Sequence, residues 1–399
     1  MQQTTSALLQ RLSESATIAM ARKARELKDQ GIDVISLSLG EPDFDTPAEM
    51  KQAGIDAIHA NDTHYTPVPG TPQVRNAIVK KFKRDNGLEY TPEQVVVSTG
   101  AKQSLANVVL SLVDPGDEVI LPAPYWVSYE EIVKVAGGVP VVIPTRIEDD
   151  YKIQPSELEA AITPKTRLVM YSSPCNPSGS VYTQEETAAL ADVLRKHDRI
   201  ITVSDEIYEL INFTEKHASM AAQPGMWERT VTVNGVSKGF AMTGWRLGYI
   251  GAPTWIAAAC TKIQGQFTSA PCSITQAAAA AALEADPSLV SGMVDAFRRR
   301  RALMVDGLSK VPGFKVNQPM GAFYVFPDVT GLFGKTFEGK ALQNADDVAM
   351  FLLEQAQVAS VSGAAFGTPE CIRLSYAAAD DVLREAIARI ERACGLLSD

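Results

Sequence analysis

Two cations, Lys238 and Arg246, lie in a stretch of sequence that is otherwise small and apolar. The stretch reads VNGVSKGFAMTGWRLGYIGAP and contains no acidic residue that could pair with them. Burial disfavours the charged form of a lysine and a nearby cation adds to this effect, so we expect a lowered pKa at Lys238. An amine of lowered pKa is the nucleophile that imine formation with a carbonyl needs. Arg246 and the neighbouring Ser237 have the donors to bind a phosphate.

Polar residues also follow two predicted strands, and ligands of open α/β sheets bind at the carboxyl ends of the strands. Asp205 ends the run RIITVSDE. A carboxylate at this position is desolvated and needs a cation or several donors, so Asp205 and Tyr208 are candidate ligand contacts. The alternative is that Asp205 caps the next helix. Asn176 lies in the turn SSPCNPSG, where its side chain either contacts a ligand or serves the turn alone.

The strand QVVVSTG at 94–100 leads directly into a predicted helix. Gly100 and Ala101 place small residues where free backbone N–H groups and the helix dipole can bind a phosphate, although the same residues suit an ordinary helix start. Lys102 follows in the first helical turn, where a cation is electrostatically disfavoured. Its side chain is therefore expected either to extend into water or to meet an anion.

These groups together match the requirements of pyridoxal phosphate. The cofactor needs a lysine for its imine, an acid for its pyridine nitrogen and an anion site for its phosphate. Lys238, Asp205 and the phosphate donors would meet these three needs. With its nitrogen kept protonated by Asp205, the ring would accept electrons from the α-carbon of an amino acid.

The elements that must position these groups alternate along the chain between helices and short β-branched runs. Seven segments are predicted as strands, at 94–100, 117–124, 139–144, 166–174, 199–206, 229–235 and 246–252. Several are apolar at successive positions, which is typical of a sheet covered by helices on both faces. We therefore predict an α/β fold, with a mostly parallel seven-stranded sheet in a large domain at 46–290. A smaller α+β domain is predicted from 1–45 and 291–399, with a long helix at 291–310 joining the two.

Composition argues against several other classes of protein. The net charge of −10 disfavours nucleic acid or an anionic membrane as the main partner. The basic run FRRRR at 297–301 is interpreted as the solvated face of a long helix. Five scattered cysteines predict a reduced, cytoplasmic setting, and neither a signal peptide nor a membrane-spanning run is predicted. Four histidines without metal-ligand spacing predict no metal site.

A set of motifs runs in order along nearly the whole chain: GEPDF (40–44), YTPVPGTPQVRNAI (65–78), PYWVSY (124–129), SSPCNPSG, SDEIYE, SKGFAMTGWRLGY and IRLSYA (372–377). This set resembles the class I pyridoxal-phosphate aminotransferases, and within them the bacterial aspartate aminotransferase branch. The resemblance implies the fold type I architecture of these enzymes. It also implies a homodimer with shared active sites, because Tyr65 matches a tyrosine that contacts the cofactor phosphate of the neighbouring subunit.

The resemblance also implies roles for the candidate residues. Lys238 corresponds to the imine-forming lysine that transfers protons, and Asp205 and Tyr208 complete the catalytic set. The implied cofactor contacts are, besides these three and Tyr65, Gly100, Ala101, Lys102, Trp126, Asn176, Ser237 and Arg246. The implied substrate contacts are Gly40, Lys102, Trp126, Asn176 and Arg373. The planar fork of Arg373 suits a bidentate contact with the α-carboxylate.

Lys102 decides which substrate the resemblance implies. Its turn reads GAKQ where the aspartate-preferring branch has GGKQ, and that branch uses the lysine for the distal carboxylate of the substrate. The implied reaction is ping-pong transamination between L-aspartate and 2-oxoglutarate, giving oxaloacetate and L-glutamate. The chain departs from the branch at SESAT (13–17), where KPSAT is common, and at SYAAAD, which lacks hydroxyls found in relatives. A prephenate or an aromatic, broad-specificity aminotransferase is therefore the alternative.

Two other classes of protein use the same cofactor. A pyridoxal-phosphate lyase would use these groups to eliminate a leaving group, and it would release product without a 2-oxo acid acceptor. A cofactor-binding regulator would carry a DNA-binding domain, but no basic helix-turn-helix pattern precedes GEPDF. The aminotransferase interpretation is preferred to both.

Overall fold

The computed structural model describes residues 5–214 and 216–398. Its strands, in chain order, are β1 (Ile35–Ser36), β2 (Val95–Ser98), β3 (Glu118–Pro122), β4 (Val139–Ile143), β5 (Thr166–Ser172), β6 (Ile201–Asp205), β7 (Thr230–Gly235), β8 (Gly248–Gly251), β9 (Tyr324–Val325), β10 (Thr336–Phe337), β11 (Lys340–Ala341), β12 (Val358–Ala359), β13 (Val361–Ser362) and β14 (Ile372–Ser375).

The α-helices, in chain order, are α1 (Ala7–Gln10), α2 (Ala16–Asp29), α3 (Ala48–His59), α4 (Pro72–Lys81), α5 (Ala101–Leu112), α6 (Ser128–Ala136), α7 (Pro155–Ala161), α8 (Gln184–Leu194), α9 (Thr254–Phe267), α10 (Ser273–Glu284), α11 (Ser291–Leu308), α12 (Ala345–Gln355) and α13 (Asp380–Cys394). A π-helical turn follows α4 at Phe82–Asn86. Turns of 3₁₀-helix lie at Pro92–Gln94, Ile147–Asp149, Met220–Ala222, Trp227–Arg229, Thr243–Trp245, Pro287–Val290, Thr330–Leu332 and Gly363–Phe366.

Seven strands form the central sheet, in the order β2–β8–β7–β6–β5–β3–β4. Neighbouring strands are parallel except at β8, which is antiparallel to both β2 and β7. In register, Asp205 at the end of β6 lies beside Ser172 of β5 and Val233 of β7. The predicted seven-stranded, mostly parallel sheet is confirmed. Its parallel strands end along one edge, where this kind of sheet binds its ligands.

Helices cover both faces of this sheet, which explains why its strands are apolar at successive positions. Successive side chains of a strand point to opposite faces. Leu168 of β5 accordingly packs into a cluster with Leu105 of α5. The next residue, Val169, packs on the other face with Leu190 of α8. Both faces of the strand are therefore buried under helices.

The two ends of the chain meet outside the central sheet. β1 pairs in parallel with β12, so the segment before α3 lies beside a segment near the C-terminus. β14 is antiparallel to both β13 and β9, and this register places Ser375 beside Tyr324. α11 packs against α13. These pairings agree with a small domain built from both chain ends, while its boundaries at 45/46 and 290/291 stay predictions.

The basic run at 297–301 differs from its prediction. Arg298 and Arg299 are exposed, but Arg301 is half-buried and Arg300 is only 6% exposed. The run covers more than one turn of α11, so its members cannot all face the same side of the helix. The interpretation as a solvated face is therefore wrong for Arg300. Within the described residues, no helix is both long enough and apolar enough to cross a membrane.

Candidate active site

A cavity of about 260 Å³ opens where the parallel strands of the central sheet end. Its walls also include residues from the two chain ends. Most of the predicted site residues line it, namely Gly40, Ala101, Lys102, Trp126, Asn176, Asp205, Tyr208, Ser237, Lys238, Arg246 and Arg373. The structure thus brings together residues that are separated by more than three hundred positions in the sequence.

Lys238 lies in the loop that follows β7, and its ammonium donates a hydrogen bond to the carbonyl of Gly40. The pKa of Lys238 is lowered to about 8, chiefly by burial; Arg373 and Arg246 also lower it, while Glu41 and Asp205 oppose the shift. The predicted lowered pKa agrees with this, although burial outweighs the neighbouring cations. Near neutral pH, a fraction of the lysine is therefore a neutral amine that can act as nucleophile or base.

Asp205 ends β6 and is only 5% exposed. Burial raises its pKa to about 6, which two donors oppose: the Tyr129 hydroxyl and the backbone N–H of Ile207. Tyr129 donates to Oδ2 at 2.7 Å, and Ile207 donates to Oδ1 at 3.3 Å. The structure forms no helix directly after Asp205, so the alternative role as a helix cap is wrong. Near neutral pH the carboxylate is anionic and lines the cavity.

Two tyrosines connect the floor of the cavity to its chain-end wall. The hydroxyls of Tyr208 and Tyr324 lie 2.8 Å apart and share a hydrogen bond. A Cβ atom on Gly40 would overlap the hydroxyl of Tyr324. A residue with a side chain at position 40 would therefore displace this phenol, which explains why a glycine occupies the position.

Arg373 is a buried guanidinium without a carboxylate partner among the described residues. It is 2% exposed, and it donates to Asn176 Oδ1 at 2.9 Å and to the Ser38 carbonyl at 2.6 Å. The ring centre of Tyr324 lies 4.6 Å from Cζ. No protein group accepts a hydrogen bond from Nε in the described part of the chain. A buried cation in this state calls for an anionic ligand, since an uncompensated charge is costly to bury.

A second group of donors lies at the start of α5. Gly100 has a φ of 87° and precedes the helix, and a Cβ atom on it would overlap the guanidinium of Arg246. Arg246 donates to the Thr243 carbonyl at 2.9 Å and forms no ion pair within residues 5–214 and 216–398. Ala101 and Ser237 line the same cavity. A helix N-terminus, a hydroxyl and an unpaired guanidinium together suit a phosphate.

Lys102 is exposed, and its ammonium lies near an aromatic ring. Nζ lies 5.0 Å from the ring centre of Trp126, and both residues line the cavity. Burial lowers the pKa of Lys102, and the charge of Arg246 lowers it further. Among the described residues it has no carboxylate partner. Both expectations for this side chain stay open: it is in contact with solvent, and it lies in the cavity wall, where an anionic ligand could bind.

Tyr65 and Gly100 are the predicted site residues that do not line the cavity. The side chain of Tyr65 is fully exposed, and it lies beside a different surface depression together with Cys272. Its predicted contact with a neighbouring subunit stays a prediction. Gly100 leaves space for the guanidinium of Arg246, and its predicted contact with the phosphate stays a prediction.

Sequence reasoning missed several residues of the cavity. Tyr129 and Tyr324 line it, and so do Ser15, Thr17 and Ser172. Tyr129 lies one turn after Trp126 and donates its backbone N–H to the Trp126 carbonyl at 2.9 Å. A spacing of three residues in a helical turn was a usable signal for Tyr129. Tyr324 had none, because its partner Tyr208 is 116 positions away.

A second group of ionisable residues lies behind Asp205, on the far side of the following turn. Single ligand atoms of Glu206, Glu209 and His217 lie within 4.8 Å of one another, an arrangement that the histidine spacing did not predict. Lys81 forms an ion pair with Glu209, and His217 Nε2 lies 2.9 Å from Glu206 Oε2. The positive charge in this cluster is therefore supplied by side chains.

The comparison with known families agrees with this geometry. A family model described as aminotransferase class I and II matches residues 32–390. The chain belongs to this aminotransferase family. The resemblance read from the motifs is thereby confirmed, and the fold is that of the family's solved structures. Aminotransferases move an amino group between an amino acid and a 2-oxo acid.

Individual aminotransferases match over almost their whole length. A protein of Cereibacter sphaeroides named aspartate/prephenate aminotransferase is 49% identical over 393 residues, covering 98% of both chains. The crystal structure of the Rhizobium meliloti aspartate aminotransferase has a TM-score of 0.96, with 42% identity and full coverage of both chains. The aspartate aminotransferase from Thermus thermophilus with maleate has a TM-score of 0.92 and 41% identity, covering 98% of this chain and 100% of that one.

Proposed function

We propose that this aminotransferase binds pyridoxal 5′-phosphate and transfers the amino group of L-aspartate to 2-oxoglutarate, giving oxaloacetate and L-glutamate. The residues fit the cofactor: an amine of lowered pKa, an anionic carboxylate and an unpaired guanidinium at a helix start line one cavity. When bound, the cofactor supplies an electron sink for the α-carbon of an amino acid. The remaining chemistry is carried by the side chains of the protein.

The positions of the side chains support separate roles in binding the different parts of the cofactor. Ser237, Arg246 and the backbone at Ala101 would hold the phosphate, with Gly100 leaving room for the guanidinium. Asp205 would pair with the protonated ring nitrogen. The phenolic oxygen would be bound by Tyr208 and Asn176, and the ring face would be covered by Trp126.

Lys238 Nζ is the proposed base of the reaction. It would take the proton from the α-carbon of the substrate and return one to the cofactor side. A pKa of about 8 places a usable fraction of the neutral amine at neutral pH. Since the amino group would stay with the enzyme after the first oxo acid leaves and before the second oxo acid binds, ping-pong kinetics are expected.

The single observation that carries the choice of substrate is that Arg373 and Lys102 both line the cavity without a carboxylate partner among the described residues. Arg373 would bind the α-carboxylate, together with the backbone at Gly40. Lys102 would bind the distal carboxylate, which relieves the cost of a cation in the first turn of α5. Aspartate and glutamate have two carboxylates and so match both cations.

Prephenate is the second candidate acceptor. The Cereibacter relative is named for both aspartate and prephenate. Prephenate also has two carboxylates, so Lys102 could serve it as well.

We also propose a homodimer in which Tyr65 reaches the site of the second copy, since its side chain is fully exposed and outside its own cavity. The large domain at 46–290, the small domain from both chain ends and a cytoplasmic setting stay predictions. A measurement of the molecular mass of the cofactor-loaded protein in solution tests whether it is a dimer. If Tyr65→Phe left cofactor affinity unchanged in a dimer, its shared role would be refuted.

Steady-state rates test the proposed reaction. Initial rates with aspartate and 2-oxoglutarate, both varied, should give parallel double-reciprocal lines and one glutamate per oxaloacetate. Glutamate with prephenate as acceptor then tests the second candidate. Continued turnover of aspartate without any 2-oxo acid, beyond one product molecule per site, would contradict transamination and favour a lyase.

A further inference from the structure

Arg300 is the buried member of the basic run in α11. It is 6% exposed, and its guanidinium makes a two-pronged contact with Asp43, from Nη1 to Oδ1 at 2.7 Å and from Nη2 to Oδ2 at 2.9 Å. Nε donates to Asp380 Oδ1 at 3.3 Å. The parallel fork is the geometry that fixes a carboxylate in both position and orientation. Arg298, in contrast, is exposed; among the described residues its ion pair is with Asp295 of its own helix, and its guanidinium lies 5.8 Å from the ring centre of Phe213.

Aromatic rings hold the same guanidinium from the side. Cζ of Arg300 lies 5.1 Å from the ring centre of Phe44 and 5.8 Å from that of Phe297. The two rings contact each other edge to face with centres 5.5 Å apart. Arg300 therefore fixes both Asp43 and the residue after it. Lysine could not reproduce this contact, because it lacks the planar fork and stacks less well.

The segment that Arg300 fixes has no helix or strand of its own. It connects β1, which ends at Ser36, to α3, which begins at Ala48. Its backbone nevertheless contacts two side chains of the candidate site: the Ser38 carbonyl accepts from Arg373, and the Gly40 carbonyl accepts from Lys238. Leu37, at the start of the segment, still pairs through its backbone with Ala359 and Ser375. The residues from Ser38 to Thr46 form no backbone–backbone hydrogen bonds among the described residues, so their position depends on side-chain anchors.

Few other side chains anchor this segment. Thr243 donates to Glu41, and Thr46 donates to the Ala241 carbonyl at 2.8 Å. Both of these contacts reach the loop after β7. Arg300 reaches the segment from α11 instead, and therefore ties it to the chain-end wall that carries Arg373.

We propose that Arg300 is a positioning residue for substrate binding, which holds the segment at 38–44 so that its carbonyls orient Arg373 and Lys238. The inference rests on the proposed function, because it takes Arg373 as the binder of the substrate α-carboxylate. Arg300 acts through Asp43 and the backbone and does not line the cavity. The phosphate donors at Ala101, Ser237 and Arg246 lie outside this segment, so cofactor binding should not depend on it.

The test is a titration of cofactor-loaded protein with maleate, a dicarboxylate that is not an amino acid and so cannot be turned over. Four proteins are compared: wild type, Arg300→Met, Asp43→Asn and the matched control Arg298→Met. Arg300→Met and Asp43→Asn should each weaken maleate binding about tenfold, because a small displacement of a binding group costs this much or more. Arg298→Met should bind as the wild type does. Cofactor affinity should change little in all four.

Two further readouts separate positioning from stability. The double variant Arg300→Met/Asp43→Asn should bind maleate no more weakly than either single variant, because both remove the same contact. Arg300→Lys should bind maleate more tightly than Arg300→Met but more weakly than the wild type. If Arg300→Met does not fold, Asp43→Asn decides the question alone, since Arg300 keeps Asp380 as its partner.

Wild-type maleate affinity in Arg300→Met and Asp43→Asn would overturn the proposal. So would a parallel loss of maleate affinity, cofactor affinity and thermal midpoint, which is the signature of general loosening. If the wild type neither bound maleate nor reacted with aspartate, the proposed function would fail and this inference with it. If the wild type did both and the variants matched it, only the role of Arg300 would fall.

Discussion

The hydroxyl of Tyr129 donates a 2.7 Å hydrogen bond to Oδ2 of Asp205. Both residues are almost fully buried, at 1% and 5% exposure. Burial alone raises the pKa of a carboxylate, because the charged form loses its water. The phenol partly offsets this cost and keeps Asp205 charged near neutral pH, as a partner of a protonated ring nitrogen must be.

Changing Tyr129 to Phe should therefore raise the pKa of Asp205 above about 6. A group of this kind loses its charge as the pH falls through its pKa, so the acid limb of the activity profile should move to higher pH in the variant. The maximal rate should fall about tenfold if the pairing contributes as a typical charged hydrogen bond does. The profile of kcat against pH checks this. An acid limb at the wild-type position would contradict the role of Tyr129.

Changing Lys238 to Ala should abolish turnover, by about 10⁴-fold, because the proposed proton carrier is lost. The variant should still retain cofactor after gel filtration, held by the donors at Ala101, Ser237 and Arg246. The transamination rate and the absorbance of the bound cofactor are measured on the same sample. Near-normal activity would refute the assignment of Lys238.

Changing Lys102 to Ala should raise the KM for aspartate about 10- to 100-fold, since a charge-assisted contact to the distal carboxylate is lost. The KM for alanine or phenylalanine should change far less, because neither has a second carboxylate. These amino acids are the internal control. Equal effects on all three donors would remove the proposed role of Lys102.

The cluster behind Asp205 should make stability depend on pH through His217. Burial alone would lower the pKa of His217, but the carboxylates of Glu206 and Glu209 outweigh burial and raise the pKa. The stability that the charged imidazole contributes is therefore complete below the unfolded pKa of about 6.5 and is lost as the pH rises through the higher folded value.

His217→Asn should accordingly destabilise the cofactor-free protein more near pH 6 than near pH 9, with the loss in free energy of unfolding differing by roughly 1 kcal/mol between the two pH values. The thermal midpoint at each pH checks this. His64→Asn, at an exposed position, is the matched control and should show no such difference. A His217→Asn deficit that stayed the same at both pH values would show that the histidine is neutral throughout.

Motifs at strand ends were sufficient to predict most of the cavity, because parallel strands bring their carboxyl ends together whatever lies between them. The seven strands themselves were predicted from short β-branched runs that alternate with helical segments, and the strand-end rule then placed Asp205 and Lys238 at the site. It could not predict Tyr324, whose contact with Tyr208 depends on how the chain ends pack onto the sheet. Arg300 was misread for a related reason: four consecutive arginines look solvated until the partner of one, Asp43, is placed beside it.

The most direct test of the whole account is the half-reaction of cofactor-loaded protein with L-aspartate alone. The account predicts that the absorption of the bound cofactor changes to that of its amino form, with one oxaloacetate released per site. Adding 2-oxoglutarate should reverse the change and release glutamate. An unchanged spectrum with aspartate would contradict the account, above all the pairing of Arg373 and Lys102 with the two carboxylates of the substrate.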